Sequence, residues 1–260
     1  MGADVTYVDV AASLVLVALA VVLSLRQELG LERGMVGAAA RALVQLLLVG
    51  VALTVVIDPE RPLILSWAWV VAMVAFAGSV ARRRAPEVPR LLPLAVLGFG
   101  ASAVVSLGVL FGLGVFPLEG RTLVPLSGMV IGNSMTASVV VSRRIVEELR
   151  DKRAEVEARL ALGQPSPTAA RPYLRNALRT ALTPQIETTR ATGIVFLPGA
   201  MTGLILAGVS PLDAVLVQVV VMYLILGSTA VTTSVVALGL VRRLFTRDHR
   251  LVRLARPADG

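Results

Sequence analysis

Cysteine is absent from the 260 residues, and histidine occurs once, as His249. A disulfide framework and a thiolate metal site are therefore excluded. No histidine lies inside an apolar run to serve a nucleophile or hold zinc, which disfavours intramembrane proteolysis and most membrane metalloenzyme chemistry. Lysine is as scarce: the sole one, Lys152, follows Asp151 in a charged segment, and no glycine-rich loop ends in Gly-Lys-Ser/Thr. The chain has no P-loop of its own with which to cradle ATP phosphates. Acidic residues are few within the apolar runs, with Asp9 and Asp213 near run ends. Proton- or cation-coupled carriers usually place carboxylates deeper. The first residues include Asp4 but no Lys or Arg, so no cleavable signal peptide is expected.

What remains is apolar. Hydrophobic residues make up 56% of the chain and the mean hydropathy is +0.80. The apolar runs reach the roughly 20 residues a helix needs to cross a bilayer. They are continuous rather than alternating, which excludes a spanning β-barrel. The expected fold is all-α: a polytopic helical membrane protein, one permease-like domain over residues 1–260. About seven transmembrane helices are expected, at 6–25, 34–57, 63–81, 91–115, 122–142, 191–209 and 212–241.

Charge sets the expected orientation. The 26–33 and 82–90 loops, the 143–190 stretch and the tail after 241 hold 22 of the 25 basic residues, while the opposite loops hold only Arg61 and Arg121. By the positive-inside bias the N-terminus lies outside and the C-terminus in the cytoplasm, in a multi-pass protein of the cell (inner or plasma) membrane. The net charge of +8 is read as topological signal and membrane-lipid anchorage, with no nucleic-acid partner.

The stretch from Arg143 to Arg190 carries 10 of the basic residues inside this apolar chain. Its first part, 143–162, is rich in helix formers and has i,i+4 pairs Arg144–Glu148, Glu148–Lys152 and Glu155–Arg159. Gly163-Gln164-Pro165 breaks the helix. Ser166 as N-cap and Pro167 as first residue open a second helix, expected to end at Leu182 before Thr183-Pro184. That helix puts Leu174, Leu178 and Leu182 in one row and Arg171, Arg175 and Arg179 in the next. Such a helical cytoplasmic insert suits docking on a soluble partner, or lying on anionic lipid.

Two further stretches carry candidate chemistry. In the fifth span, Pro125 to Ser138 contains Asn133, Ser134, Met135 and Thr136. An amide or hydroxyl in hydrocarbon needs a partner, so this is either a polar seam along a path or interhelical bonding beside a Gly128–Gly132 packing motif. In the sixth span, Pro198, Gly199 and Met201 fall in Leu197-Pro198-Gly199-Ala200-Met201-Thr202-Gly203. A helix broken at membrane depth marks a moving or ligand-facing part, or else tight packing through Gly199–Gly203. Gly108–Gly112 in the fourth span is read as packing. The methionines can offer thioethers to a soft metal, or simply fill space.

The run Pro125–Ala137, the Leu160-Ala161-Leu162-Gly163 break, Leu182-Thr183-Pro184, and Leu197-Pro198-Gly199 through Leu206-Ala207-Gly208-Val209-Ser210-Pro211-Leu212 together resemble the FetB-type permease family. That family includes bacterial iron-export permeases and plant aluminium-tolerance half-transporters. Glu157-Ala158-Arg159-Leu160-Ala161-Leu162-Gly163 also resembles the EAA loop by which ABC importer membrane subunits dock on their ATPases, with Arg159 in place of a second Ala.

The resemblance implies a membrane-spanning ABC transporter subunit rather than an enzyme. Two copies would pair with two copies of a separate soluble ABC ATPase, which binds ATP and Mg, so no cofactor resides on this chain. Coupling residues would be Glu157, Gly163, Arg171, Arg175, Leu178, Arg179 and Leu182. The path would involve Asn133, Ser134, Met135, Thr136, Pro198, Gly199, Met201 and Gln218. No resident metal site is assigned. The family's cargo is iron in bacteria and a nucleotide sugar for a plant relative, so export of iron or another metal cation is expected, with a non-metal cargo as the alternative. The chain departs from the family at Ala200, Leu204 and Val217, where Met, Gln and Tyr are usual. A stand-alone carrier or channel is the competing class, and it leaves the insert without a role.

Overall fold

A computed structural model describes residues 7–193, 197–246 and 248–252. The tail arginines Arg247, Arg253 and Arg256, and residues 194–196 of the expected 191–209 span, lie outside the described residues. Nine helices are present among them: α1 (Tyr7–Arg26), α2 (Glu32–Val56), α3 (Ile64–Arg84), α4 (Leu91–Gly112), α5 (Gly120–Asp151), α6 (Arg153–Ala161), α7 (Ser166–Ala191), α8 (Gly199–Leu206) and α9 (Pro211–Leu244). Six of these, α1 to α5 and α9, are long and apolar enough to cross a membrane.

The core is a bundle of α3, α4, α5 and α9, with α7 packed against α5 and α9. One layer joins Leu123, Leu126 and Val130 of α5 to Val221, Leu224 and Ile225 of α9. The other joins Ile145 and Leu149 of α5 to Leu240 and Leu244 of α9. Early residues meet early and late meet late, so α5 and α9 run parallel. Close approach comes from glycines. A Cβ on Gly98 of α4 would lie 2.8 Å from Val236 Cγ2 and 3.3 Å from the Thr232 carbonyl oxygen, and one on Gly239 of α9 would lie 2.5 Å from Leu94 Cδ2. Small-residue contacts of this kind substitute for the hydrophobic force that lipid does not supply between helices.

The bundle's two ends differ in chemistry. At one end Arg143 of α5 forms an ion pair with Glu87 (2.8 Å) and donates to the Arg84 carbonyl, while Arg243 of α9 donates to the Arg90 carbonyl at 3.1 Å. At the other, Ser66 Oγ of α3 donates to the Val56 carbonyl at 2.9 Å, beside Gly120. Because α5 and α9 run the same way, the chain between them must return from the arginine-rich end to the opposite one.

That return is not the single span expected at 191–209. α7 turns back onto the preceding helices, where Asn176 donates to Glu148 of α5 and Tyr173 to Glu155 of α6. The chain then leaves helical geometry at Thr192 and at Gly193, whose φ is +96°. α8 follows with 8 residues, about 12 Å at 1.5 Å per residue and far short of a hydrocarbon core of about 30 Å.

The insert corrects three further expectations. Its first helix divides at Lys152 into α5 and α6 instead of running unbroken over 143–162. Helix α7 starts one residue earlier than expected, with Pro165 as N-cap and Ser166 inside the first turn. There His249 Nδ1 lies 3.2 Å from the Ser166 backbone nitrogen, which donates to it, and 3.0 Å from Ser166 Oγ. Finally, α7 does not stop at Leu182. Pro184 removes one backbone donor, but the ladder resumes, and threonine hydroxyls bond carbonyls on both sides: Thr183 to Arg179 and Thr188 to Pro184.

At 34 residues, α9 is about 51 Å long and exceeds the bilayer core. It passes through Gly227 as one helix.

Candidate functional site

Residues 133–138 lie on one helix, and the 100° turn per residue divides them between two faces. Ser134 and Ser138 are fully buried toward the bundle, while Asn133 and Thr136 are exposed on the other side of α5. The expected single polar seam is thus two. On the inner side Ser138 Oγ bonds the Met135 carbonyl at 2.7 Å, and Ser142 and Ser127 likewise bond their own helix. Ser134 Oγ, and Thr229 Oγ1 of α9, are buried with no hydrogen-bond partner among the described residues. The parallel register of α5 and α9 sets these two positions at the same level of the bundle. On the outer side Asn133 donates to the Met129 carbonyl of its own helix at 2.8 Å. Its carbonyl oxygen makes no hydrogen bond among the described residues.

Gly128 and Gly132 do not form the expected packing motif within the chain. A Cβ on either would meet nothing within 4 Å, and the same holds for Gly108, Gly112, Gly199 and Gly203. Gly128, Gly132 and Met135 instead line an open cleft of about 590 Å³ between α2, α3 and α5. The glycines that do pack, Gly78, Gly98, Gly120 and Gly239, are not among those singled out from the sequence. Of these, only Gly98, with Ser102, belongs to a small-xxx-small pair.

The broken return holds the second group. Pro198 is the N-cap of α8, with extended backbone, and Gly199 opens the helix. A helix start leaves backbone donors without intrahelical partners. One is satisfied across the fold: the Met201 N–H donates to Gln218 Oε1 of α9 at 3.3 Å. Gln218 is itself buried. So Pro198, Gly199, Met201 and Gln218 come together, whereas among the described residues no hydrogen bond joins them to Asn133 or Thr136. The pairing of a buried Gln on α9 with the start of α8 is invisible to local sequence patterns.

The third group is the insert. Gly163, at φ +84°, ends α6 in a Schellman turn: its N–H donates to the Leu160 carbonyl, and that of Gln164 to the Arg159 carbonyl. Glu157 is held by Arg153 at 2.6 Å, on the side of α6 where Leu251 and His249 of the tail also pack. Helix α7 buries Ala169, Tyr173, Ala177 and Ala181, a row at i+4 spacing, against α5 and α9. The expected apolar row, Leu174, Leu178 and Leu182, is only half-buried. With Arg171, Arg175 and Arg179 it lines an open groove of about 1140 Å³ along α7. Among the described residues none of these three guanidiniums forms an ion pair or hydrogen bond.

The expected ion pairs are partly rearranged. Arg144–Glu148 forms at 2.8 Å, but Lys152 turns to Glu155 at 3.3 Å. Arg159 lies over the Tyr173 ring, 6.0 Å from its centre, rather than on Glu155. Tyr173 Oη donates to Glu155 Oε2 at 3.0 Å. That bond, followed by the Lys152 ammonium, holds the Glu155 carboxyl below its usual range. Burial and the Glu155 contact push the Tyr173 phenol up. The result ties α6 to α7 at neutral pH.

Among the described residues no group of three or more His, Cys, Asp or Glu is gathered as a metal site. The long apolar helices, the broken return and the outward-facing polar groups define a multi-pass helical membrane protein with an attached helical insert.

The chain belongs to the UPF0014 family, described as an uncharacterised protein family, whose model matches residues 7–245. It is 38% identical to the rice (Oryza sativa subsp. japonica) UPF0014 membrane protein STAR2 over 85% of this chain and 78% of that one. It is 35% identical to the Arabidopsis thaliana Protein ALUMINUM SENSITIVE 3 over 93% and 88%, and 26% identical to the Escherichia coli (strain K12) probable iron export permease protein FetB over 96% of each. No solved structure matches.

Proposed function

We propose that this chain is the membrane-spanning permease subunit of an ABC transporter, working as a pair of identical copies on a separate ATPase. The observation that carries this is the α7 groove. Three unpaired arginines alternate with half-buried leucines on a helix whose opposite face is locked to α5 and α9. Such a face offers cations and apolar side chains to an acidic-rimmed cleft on a partner. Its rigid attachment lets a push on α7 reach both parallel bundle helices. The Schellman turn at Gly163 and the positive-φ Gly193 after α7 are the joints on either side.

The outward Asn133 and Thr136 support the pairing. A polar group facing hydrocarbon is costly, whereas at a seam between two copies it meets a polar neighbour or a watered path. The cargo proposed is iron or another metal cation, moved outward, by likeness to the E. coli protein named above. The methionines Met129 and Met135 on α5 and Met201 on α8 would supply thioether contacts.

The test is co-expression with a soluble ABC ATPase and reconstitution in vesicles. Co-purification, and ATP hydrolysis stimulated by a metal ion, are expected. Gly163→Pro, deletion of 164–182, or the triple exchange of Arg171, Arg175 and Arg179 to Glu would abolish both. Transport by the isolated chain in ATP-free vesicles would overturn the reading.

A further inference from the structure

The cleft between α2, α3 and α5 shares Met135 with the path proposed above, but its basic groups have no part in the transport reading. Its walls are Met73, Phe76 and Val80 of α3 with small residues of α2 and α5, and its polar groups are Arg41, Gln45, Arg83 and Arg84. Like Arg171, Arg175 and Arg179, these three arginines have no acidic partner among the described residues. Arg143, Arg144, Arg150, Arg153 and Arg190 each hold a carboxylate. Among the described residues the guanidiniums of Arg41, Arg83 and Arg84 form no ion pair and no hydrogen bond. The nearest carboxylate in sequence, Glu87, is taken by Arg143.

Arg83 and Arg84 end α3, where a helix C-terminus tolerates cations and the chain leaves the apolar layer. Arg41 is different. It sits nine residues inside α2, where Gln45 is the nearest other polar side chain in a mostly apolar run, so its charge is costly without an anion. The cleft brings Arg41 to the same space as the two helix-end arginines. Three guanidiniums repel a metal cation and suit a phosphate, which takes planar bidentate donors. The apolar walls continue onto α1 and α2, which are exposed along nearly their whole length. A ligand that fits both parts carries a phosphate at one end and hydrocarbon at the other.

We infer that the Arg41–Arg83–Arg84 cleft binds the phosphate group of an anionic phospholipid, with its acyl chains along α2 and α3. Basic pockets between transmembrane helices on the positive side are suited to such headgroups. The bound lipid would fix the N-terminal hairpin, which contributes few protein contacts of its own, against the bundle. The inference stands apart from the transport reading, since it needs neither an ATPase nor a cargo.

The full-length chain in a neutral detergent tests it, by the thermal unfolding midpoint and by native mass spectrometry of retained lipid. Phosphatidylglycerol is compared with phosphatidylcholine of the same chains, and with glycerol 3-phosphate. Phosphatidylglycerol is expected to raise the midpoint and to be retained selectively. Arg41→Gln and Arg83→Gln should each lower retention about fivefold, and the double exchange should remove the rise in midpoint. Arg82→Gln, outside the cleft, should keep both effects. All of these arginines are exposed, so the exchanges leave the bundle intact, and unchanged unfolding in phosphatidylcholine verifies that. Selective retention that survives in the double exchange would overturn the site. A midpoint rise equally large with glycerol 3-phosphate would overturn the lipid in favour of a soluble phosphate ester.

Discussion

The hairpin α1–α2 and the bundle α3–α4–α5–α9 are all built from helices apolar enough to cross a membrane, yet they differ in almost every packing feature. Among described residues α4 alone buries ten, while α1 and α2 bury only Ser24 and Val56 between them. Glycine does not explain the contrast, because α2 carries Gly34, Gly37 and Gly50 with open space around each. What distinguishes the bundle is complementarity: Gly98 faces Val236, Gly239 faces Leu94, and Thr232 reaches across to the Gly98 carbonyl at 3.4 Å. In lipid, apolarity places a helix in the membrane but gives it no reason to touch another. Shape and a few hydroxyls decide that.

The sharpest way to break the comparison is to carve the same defect in both regions. Phe99 is 0% exposed and Leu47 is 57% exposed. Phe99→Ala should cost about 3–5 kcal/mol, whereas Leu47→Ala should stay within about 0.5 kcal/mol, both read from denaturant unfolding in mixed micelles. An equal loss at Leu47 would mean the hairpin is packed against something in the working assembly.

Adding a methyl group gives the next largest contrast. Gly98→Ala drives a Cβ against a β-branched side chain and a carbonyl, and should destabilise by about 1–3 kcal/mol. Gly50→Ala meets open space and should be neutral or stabilising by up to about 1 kcal/mol through helix propensity. A cost at Gly50 would again place a neighbour on that face.

The insert extends the comparison beyond the bundle, because α6 is held to α7 by titratable groups. Glu155 is lowered, so its contribution is complete above the ordinary carboxylate range and lost as pH falls through the lowered value. Tyr173 is raised, so its contribution is complete below the ordinary phenol range and lost as pH rises through the raised value. Proteolysis at the Gly163 turn should therefore be slow at neutral pH and faster below the carboxylate range. Tyr173→Phe should make the neutral-pH rate resemble the acid one. A turn whose cleavage ignores both pH and the exchange would show the tie to be idle.

The smallest effect separates two serines of one buried face. Ser134→Ala removes a hydroxyl with no partner and should be neutral or slightly stabilising, within about 1 kcal/mol. Ser138→Ala removes a bonded one and should be slightly destabilising. A marked loss at Ser134 alone would reveal a bound water or ion shared with Thr229.

Long runs without charge dictated helices and membrane residence by themselves, because no other structure satisfies backbone groups in hydrocarbon. Arginine placement foretold two unlike ends, and Gly163 foretold the turn after α6, since a positive φ favours glycine. The tertiary structure alone divided Asn133 and Thr136 from Ser134 and Ser138, because a neighbour's position, not the residue, decides which side of a helix is buried. It alone carried α7 past Pro184, set Gln218 on the start of α8, and gathered Arg41 with Arg83 and Arg84. Each of these depends on a partner distant in the chain, and local pattern holds no record of distance in space.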